Sequence, residues 1–112
     1  MKITYKRRKI EVIARNVSGL GRLRGLMMKH GKTSNLLFDF GKPVRYSLHS
    51  FFVFFKFLVV WLDENNKVVD FKIAKPFSFY INTDKNFVKI LEIPINQKNK
   101  KIIKFFVGRR KV

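Results

Sequence analysis

The sequence predicts a small, mainly β domain built as a sandwich or barrel, with one short helix. Three observations predict it. Short runs rich in Val, Ile and Phe alternate with Gly, Pro and Asn turn signals at close spacing. Phe supplies 13 of 112 residues, and a side chain with so large a burial payload and such a strand preference implies an aromatic β core. The longest apolar run, FFVFFKFLVVWL at 51–62, is dominated by Phe and Val, which favour strands.

Taken in order, the first expected strand is KIEVIAR at 9–15. SGLGRLRGLMMKHG (18–31) then reads as a helix: Ser18 is a candidate N-cap, Leu20, Leu23 and Met27 recur at helical spacing, and Gly31 is a stop signal. NLLFDF (35–40) and VRYSLH (44–49) follow as strands, separated by a turn at Gly41-Lys42-Pro43.

The run at 51–62 is too short for a membrane helix. Even from Leu48 to Leu62 it gives 15 positions, including His49, Ser50 and Lys56, where about 20 apolar residues are needed. As a strand it places Phe51, Val53, Phe55, Phe57, Val59 and Trp61 on one face and Phe52, Phe54, Lys56, Leu58, Val60 and Leu62 on the other. Both faces are mostly apolar, so it is expected to be a central strand covered on both sides, with a bulge near Lys56 as an alternative.

Asn65-Asn66 is a hairpin turn signal, because Asn tolerates positive φ. In KVVDFKIAK the alternation puts Val69, Phe71 and Ile73 on one face of a half-buried strand that Pro76 ends. FSFYIN (77–82), VKILEIPI (88–95) and KKIIKFFV (100–107) complete the expected strands.

Charge is the unusual feature. Lys and Arg number 25 against 7 Asp and Glu, a formal net charge of +18. Most cations therefore lack an acidic partner within the chain, and their repulsion opposes compaction; a polyanion, nucleic acid or anionic membrane, is the usual offset. With no cysteine, disulfides and Cys-based zinc sites are excluded. The start, MKITYKRRKI, is basic but no apolar stretch follows it, so no targeting segment is expected and the location expected is cytoplasmic. The length is that of a single domain, 1–112, with basic segments at 2–9 and 98–112.

RLRGLMMK (22–29), LLFDF (36–40), FLVVWLDENNKVVD (57–70) and KILEIPIN (89–96) occur in the order and spacing of the DUF 192 family, a widespread domain of unknown function that the chain resembles over about residues 10–107. The resemblance implies a jelly-roll-like β-barrel or sandwich with one short helix, and no reaction. Many members have Trp-Met-Lys-Asn where His49, Ser50, Phe51 and Phe52 stand, and often Pro in place of Lys56. If those polar residues serve a ligand elsewhere in the family, this chain has lost them. Arg22, Arg24, Gly25, Leu26 and Met27 match the pattern, and Lys29 stands where Arg is common.

Catalytic and metal patterns are weak. Asp63, Glu64 and Asp70 are close in sequence, but the first two flank a turn, where acids are common. His30 and His49 share no metal-binding spacing, and Ser47, Ser50, His49 and Asp39 form no nucleophile elbow. GLGRLRG lacks the dinucleotide fingerprint, since Gly25 falls one place late, although Arg22, Arg24 and Lys29 near a helix start would make an anion site or simply a solvated basic face. No catalytic residue, metal or cofactor is expected.

The basic clusters carry the functional expectation: Lys6, Arg7, Arg8 and Lys9; Lys98, Lys100, Lys101 and Lys104; and Arg109, Arg110 and Lys111. Tyr5, Phe105 and Phe106 interleave with them, and Phe77, Phe79 and Tyr80 beside Lys75 are the best candidates for exposed aromatics. Cations neutralise phosphates and exposed rings stack on unpaired bases. The expected function is non-enzymatic binding of RNA or another polyanion, ribosomal RNA foremost, through flexible basic ends. The alternatives are a small-ligand-binding barrel or unassigned enzyme, and peripheral attachment to anionic lipid.

Overall fold

The computed structural model describes residues 1–17, 33–45, 53–78 and 81–108. They form β1 (Lys2–Tyr5), β2 (Arg8–Glu11), β3 (Arg15–Asn16), β4 (Leu36–Val44), β5 (Phe57–Leu62), β6 (Val68–Ala74), β7 (Phe87–Pro94), a 3₁₀ turn (Gln97–Asn99) and a helix, α1 (Lys100–Val107). β1 and β2 make a two-stranded sheet; the other five strands form a second sheet in the order β3-β4-β7-β5-β6. The fold is mainly β with one short helix among the described residues. Among the described residues the two sheets do not close into a barrel, which fits a sandwich-like arrangement.

β5 is the spine of the core. All six of its residues are buried. Leu58, Val60 and Leu62 face one apolar cluster, which Ile3 of β1, Val12 just after β2, and Ile102, Ile103, Phe106 and Val107 of α1 cover. Phe57, Val59 and Trp61 face a second cluster with Leu36, Phe38, Val53, Ile81, Phe87 and Ile90. The period-two alternation thus holds, with both faces apolar because both are covered. The strand is shorter than the run: Phe54 is exposed and Phe55 half-buried, outside β5, and 51–52 lie outside the described residues.

Four local expectations are corrected. KKIIKFFV is a helix, not a strand. Its buried residues, Ile102, Ile103, Phe106 and Val107, recur at helical spacing and lie against the sheet. The Asn96 side chain starts the turn that leads into it, accepting from the Asn99 amide at 3.0 Å, while the Asn99 side chain donates to the Pro94 carbonyl at 2.7 Å. Its last residue is followed by Gly108, whose φ of 64° suits glycine.

Gly41-Lys42-Pro43 does not separate two strands. β4 runs through it by a register shift between Asp39 and Val44, with Gly41 at φ 71° donating its amide to Asp39 Oδ1 at 2.9 Å. In β6, Val69 leaves the face of Phe71 and Ile73, because a register shift opposite Trp61 and Leu62 inserts one extra residue and turns Val69 toward the second cluster. Phe77 stands in a turn at φ 61° where a strand from 77 to 82 was expected. The Asn65-Asn66 turn is as expected, with Asn66 at φ 61°. The helix expected at 18–31 lies outside the described residues.

Candidate nucleic-acid interface

The first basic cluster is not a flexible end. Tyr5 pairs with Arg8, so Lys6 and Arg7 are the two central residues of a tight hairpin. Both have positive φ, 48° and 64°, the signature of the turn whose twist matches the flanking strands and which normally takes Asn-Gly. Two long cations are held there instead. The second cluster is not a loose tail either: Lys98 lies in the 3₁₀ turn, and Lys100, Lys101 and Lys104 lie on α1.

The fold brings these two clusters together. Lys6 and Arg8 from the hairpin, and Lys101 and Lys104 from α1, line one cleft of about 740 Å³. Its apolar wall includes Tyr5, Ile10, Phe71, Phe105 and Phe106. The rings form a continuous set: Tyr5 meets Phe71 and Phe106, each at 5.4 Å between centroids, Phe71 meets Phe106 at 5.0 Å, and Phe106 meets Phe105 at 5.3 Å.

Arg8 locks the two sides. Its guanidinium donates to the Phe105 carbonyl at 3.1 Å and stands over the Phe105 ring, 4.7 Å from the centroid. That carbonyl is in the last turn of α1, where backbone acceptors have no partner within the helix, and a cation there also complements the helix dipole. Lys6 Nζ lies 5.3 Å from the Tyr5 ring centre. By contrast, Lys100 and Lys101 open the helix, with no acid in its first turn. Cations at a helix N-terminus oppose the dipole. Their placement is therefore not one that stability favours, and none of Lys6, Lys101 and Lys104 forms an ion pair among the described residues.

Of the other expected site residues, Arg7 and Lys9 are exposed near the cleft without lining it, and Lys98 lines a neighbouring depression with Arg15, Lys101 and Glu11. Lys100 lines a shallow apolar groove of about 650 Å³ with Ile95, Ile103 and Val107. Arg22, Arg24, Lys29, Arg109, Arg110 and Lys111 lie outside the described residues. Phe71 was not anticipated as part of the cleft; its sequence signal, alternation in β6, marks it only as half-buried.

The acids serve the scaffold. Asp63 Oδ1 accepts from the amides of Asn65 at 2.8 Å and Lys67 at 2.9 Å, which builds the β5–β6 turn. Asp70 Oδ2 accepts from Thr83 at 2.6 Å. No helix among the described residues is long and apolar enough to cross a membrane.

No family model matches the chain. A UPF0127 protein of Thermococcus kodakarensis is 40% identical over 63 residues, which is 54% of this chain and 40% of that protein's length. Two solved structures resemble the fold. One, from Sinorhizobium meliloti and called a "putative transcription regulator", has a TM-score of 0.72 at 19% identity, covering 90% of this chain and 81% of that one. The other, a protein of unknown function from Novosphingobium aromaticivorans, has a TM-score of 0.67 at 13% identity, covering 90% and 75%. At those identities the likeness is one of fold alone. The sequence relative belongs to an uncharacterised family.

Proposed function

We propose that this protein is a non-enzymatic, cytoplasmic nucleic-acid-binding protein that grips the phosphate backbone of RNA, ribosomal RNA foremost, in the cleft between the β1–β2 hairpin and α1. One observation carries the reading: Lys6, Arg8, Lys101 and Lys104, far apart in sequence, line a single cleft in a chain of net charge +18. Such a surface reads charge and shape, with little base-edge discrimination. The description of the Sinorhizobium protein as a "putative transcription regulator" is in keeping with a nucleic-acid role. The motifs in β4, β5–β6 and β7 support membership of the DUF 192 family. The test is direct. Purified protein should carry RNA that nuclease or high salt removes, and its affinity for RNA should fall linearly in log–log coordinates as salt rises. Protein that copurifies without nucleic acid and binds none at low salt overturns the reading.

The apolar groove beside α1, lined by Ile95, Ile103 and Val107, favours a second reading, a small apolar ligand. In that reading the charge is incidental, and ligand-dependent thermal stabilisation, indifferent to salt, is its test.

A further inference from the structure

Two aromatic rings stand on the surface away from the cleft. Phe54 is 57% exposed and Phe77 is 47% exposed. They meet edge to face, 5.6 Å between centroids. The β5–β6 ladder starts at the pair Phe57 and Ala74, so Phe54 and Phe77 flank the same end of it, as do the exposed Lys56 and Lys75. Phe77 sits at φ 61° in a turn closed by the Ser78 hydroxyl, which donates to the Lys75 carbonyl at 3.0 Å. That region of backbone space disfavours a bulky L residue, and Gly or Asn would occupy it with less strain. Neither burial nor local preference accounts for an aromatic there, and observed strain of this kind points to use.

We propose that Phe54 and Phe77 form a stacking platform for the unpaired bases of a single-stranded nucleic acid, RNA in the first instance. The proposal rests on the polyanion reading above and sharpens it: the ligand is a single strand, not a duplex. A duplex keeps its base faces inside the stack, whereas a single strand offers them to rings. An edge-to-face pair leaves a ring face uncovered by its partner, and flanking lysines supply charge for the backbone between bases. The cleft and the platform are linked by one strand. Phe71 lines the cleft, and Ala74 ends β6 beside the platform.

The test uses the full chain with three probes: a single-stranded oligouridine, an RNA duplex of equal length, and heparin. The expected result for Phe54→Ala with Phe77→Ala is a loss of about tenfold or more in oligouridine affinity. Duplex and heparin affinities and the salt slope stay at the wild-type values, and Phe77→Tyr, which keeps a ring at that position, retains oligouridine binding. A double variant that binds oligouridine like the wild type overturns the proposal while leaving the polyanion reading intact. So does an equal loss on all three probes. A wild type that binds neither RNA nor heparin removes the polyanion reading itself, and the platform with it. Should the double variant fail to melt cooperatively, Phe54→Ala alone, which leaves the Phe77 turn untouched, reads the same comparison, and an unchanged oligouridine affinity in it is again the overturning result.

Discussion

Arg8 holds both the ring and the backbone of Phe105, a residue 97 positions later: its guanidinium lies 4.7 Å from the ring centre and donates to the carbonyl at 3.1 Å. The hairpin is thereby fastened to the end of α1. Arg8→Ala removes a charge-assisted bond and a cation–π contact at an exposed site, and is expected to destabilise by about 1–2 kcal/mol. Arg8→Lys recovers only part, because an ammonium lacks the planar fork. Urea unfolding measures this as a lower midpoint at unchanged slope. An unchanged midpoint for Arg8→Ala contradicts the fastening role. Arg8 is thus separated from its basic neighbours, whose neutralisation the charge argument expects to leave stability intact or improved.

Lys6, Lys101 and Lys104 are the neighbours to neutralise. With all three changed to Gln, the log–log salt slope of RNA binding should flatten by about 2–3 units, at roughly 0.7–0.9 per lost phosphate contact. Thermal stability should hold or rise, since unpaired like charges oppose the compact state. A salt titration of wild type and variant decides it; identical slopes mean that the cleft meets no phosphate.

The hairpin tip separates stability from binding in a different way. Lys6→Asn with Arg7→Gly gives the turn the residues that positive φ prefers, and should raise stability by about 1 kcal/mol while weakening RNA binding. Opposite signs in a melt and a binding assay on the same variant are the expected outcome. If both properties rise together, the cations at this tip play no part in binding.

Phe57 and Phe55 should respond unequally to Asp. Phe57 is 1% exposed and packs in the second cluster, so Phe57→Asp combines a lost aromatic, worth about 3–5 kcal/mol, with an unpaired buried charge, enough to unfold a typical domain. Phe55 is half-buried outside β5, and Phe55→Asp should yield folded but weakened protein. Circular dichroism melts distinguish the two; equal behaviour contradicts the end of β5 at Phe57.

Asp63 is expected to act through turn geometry. Asp63→Ala removes acceptors for the Asn65 and Lys67 amides and should destabilise by about 1–2 kcal/mol. Asp63→Asn, which keeps an acceptor oxygen, should lose less and leave RNA affinity equal or slightly higher. RNA affinity that collapses in Asp63→Asn while the melt stays unchanged contradicts this.

What the sequence made legible follows from how local each cause is. β5 and the Asn65-Asn66 turn are local: a run apolar on both faces and a residue that tolerates positive φ. The helix at Lys100–Val107 was masked by its composition, because Ile, Phe and Val favour strands, while the arrangement of Ile102, Ile103, Phe106 and Val107 is helical. Position, not propensity, held the signal. The Lys6-Arg7 turn was hidden because neither residue is a turn former. The Val69 face was misplaced because an extra residue in β6 opposite Trp61 and Leu62 cannot be read from either strand alone. The cationic residues of the cleft were visible as clusters, but their convergence, and the part of Phe71, depend on how hairpin, sheet and helix pack.

The sheet order places β7 between β4 and β5. Both neighbours are synthesised before it, and neither pairs with the other. Until β7 is in place, β5 has β6 on one edge and nothing on the other, with an apolar surface on each face. That partly folded hairpin is a template for misplaced pairing between chains until β7 inserts. Holdase chaperones that cover the open edge of β5 therefore bear on how much of this protein reaches its native state, and refolding at higher protein concentration should raise the insoluble fraction without altering the finished fold.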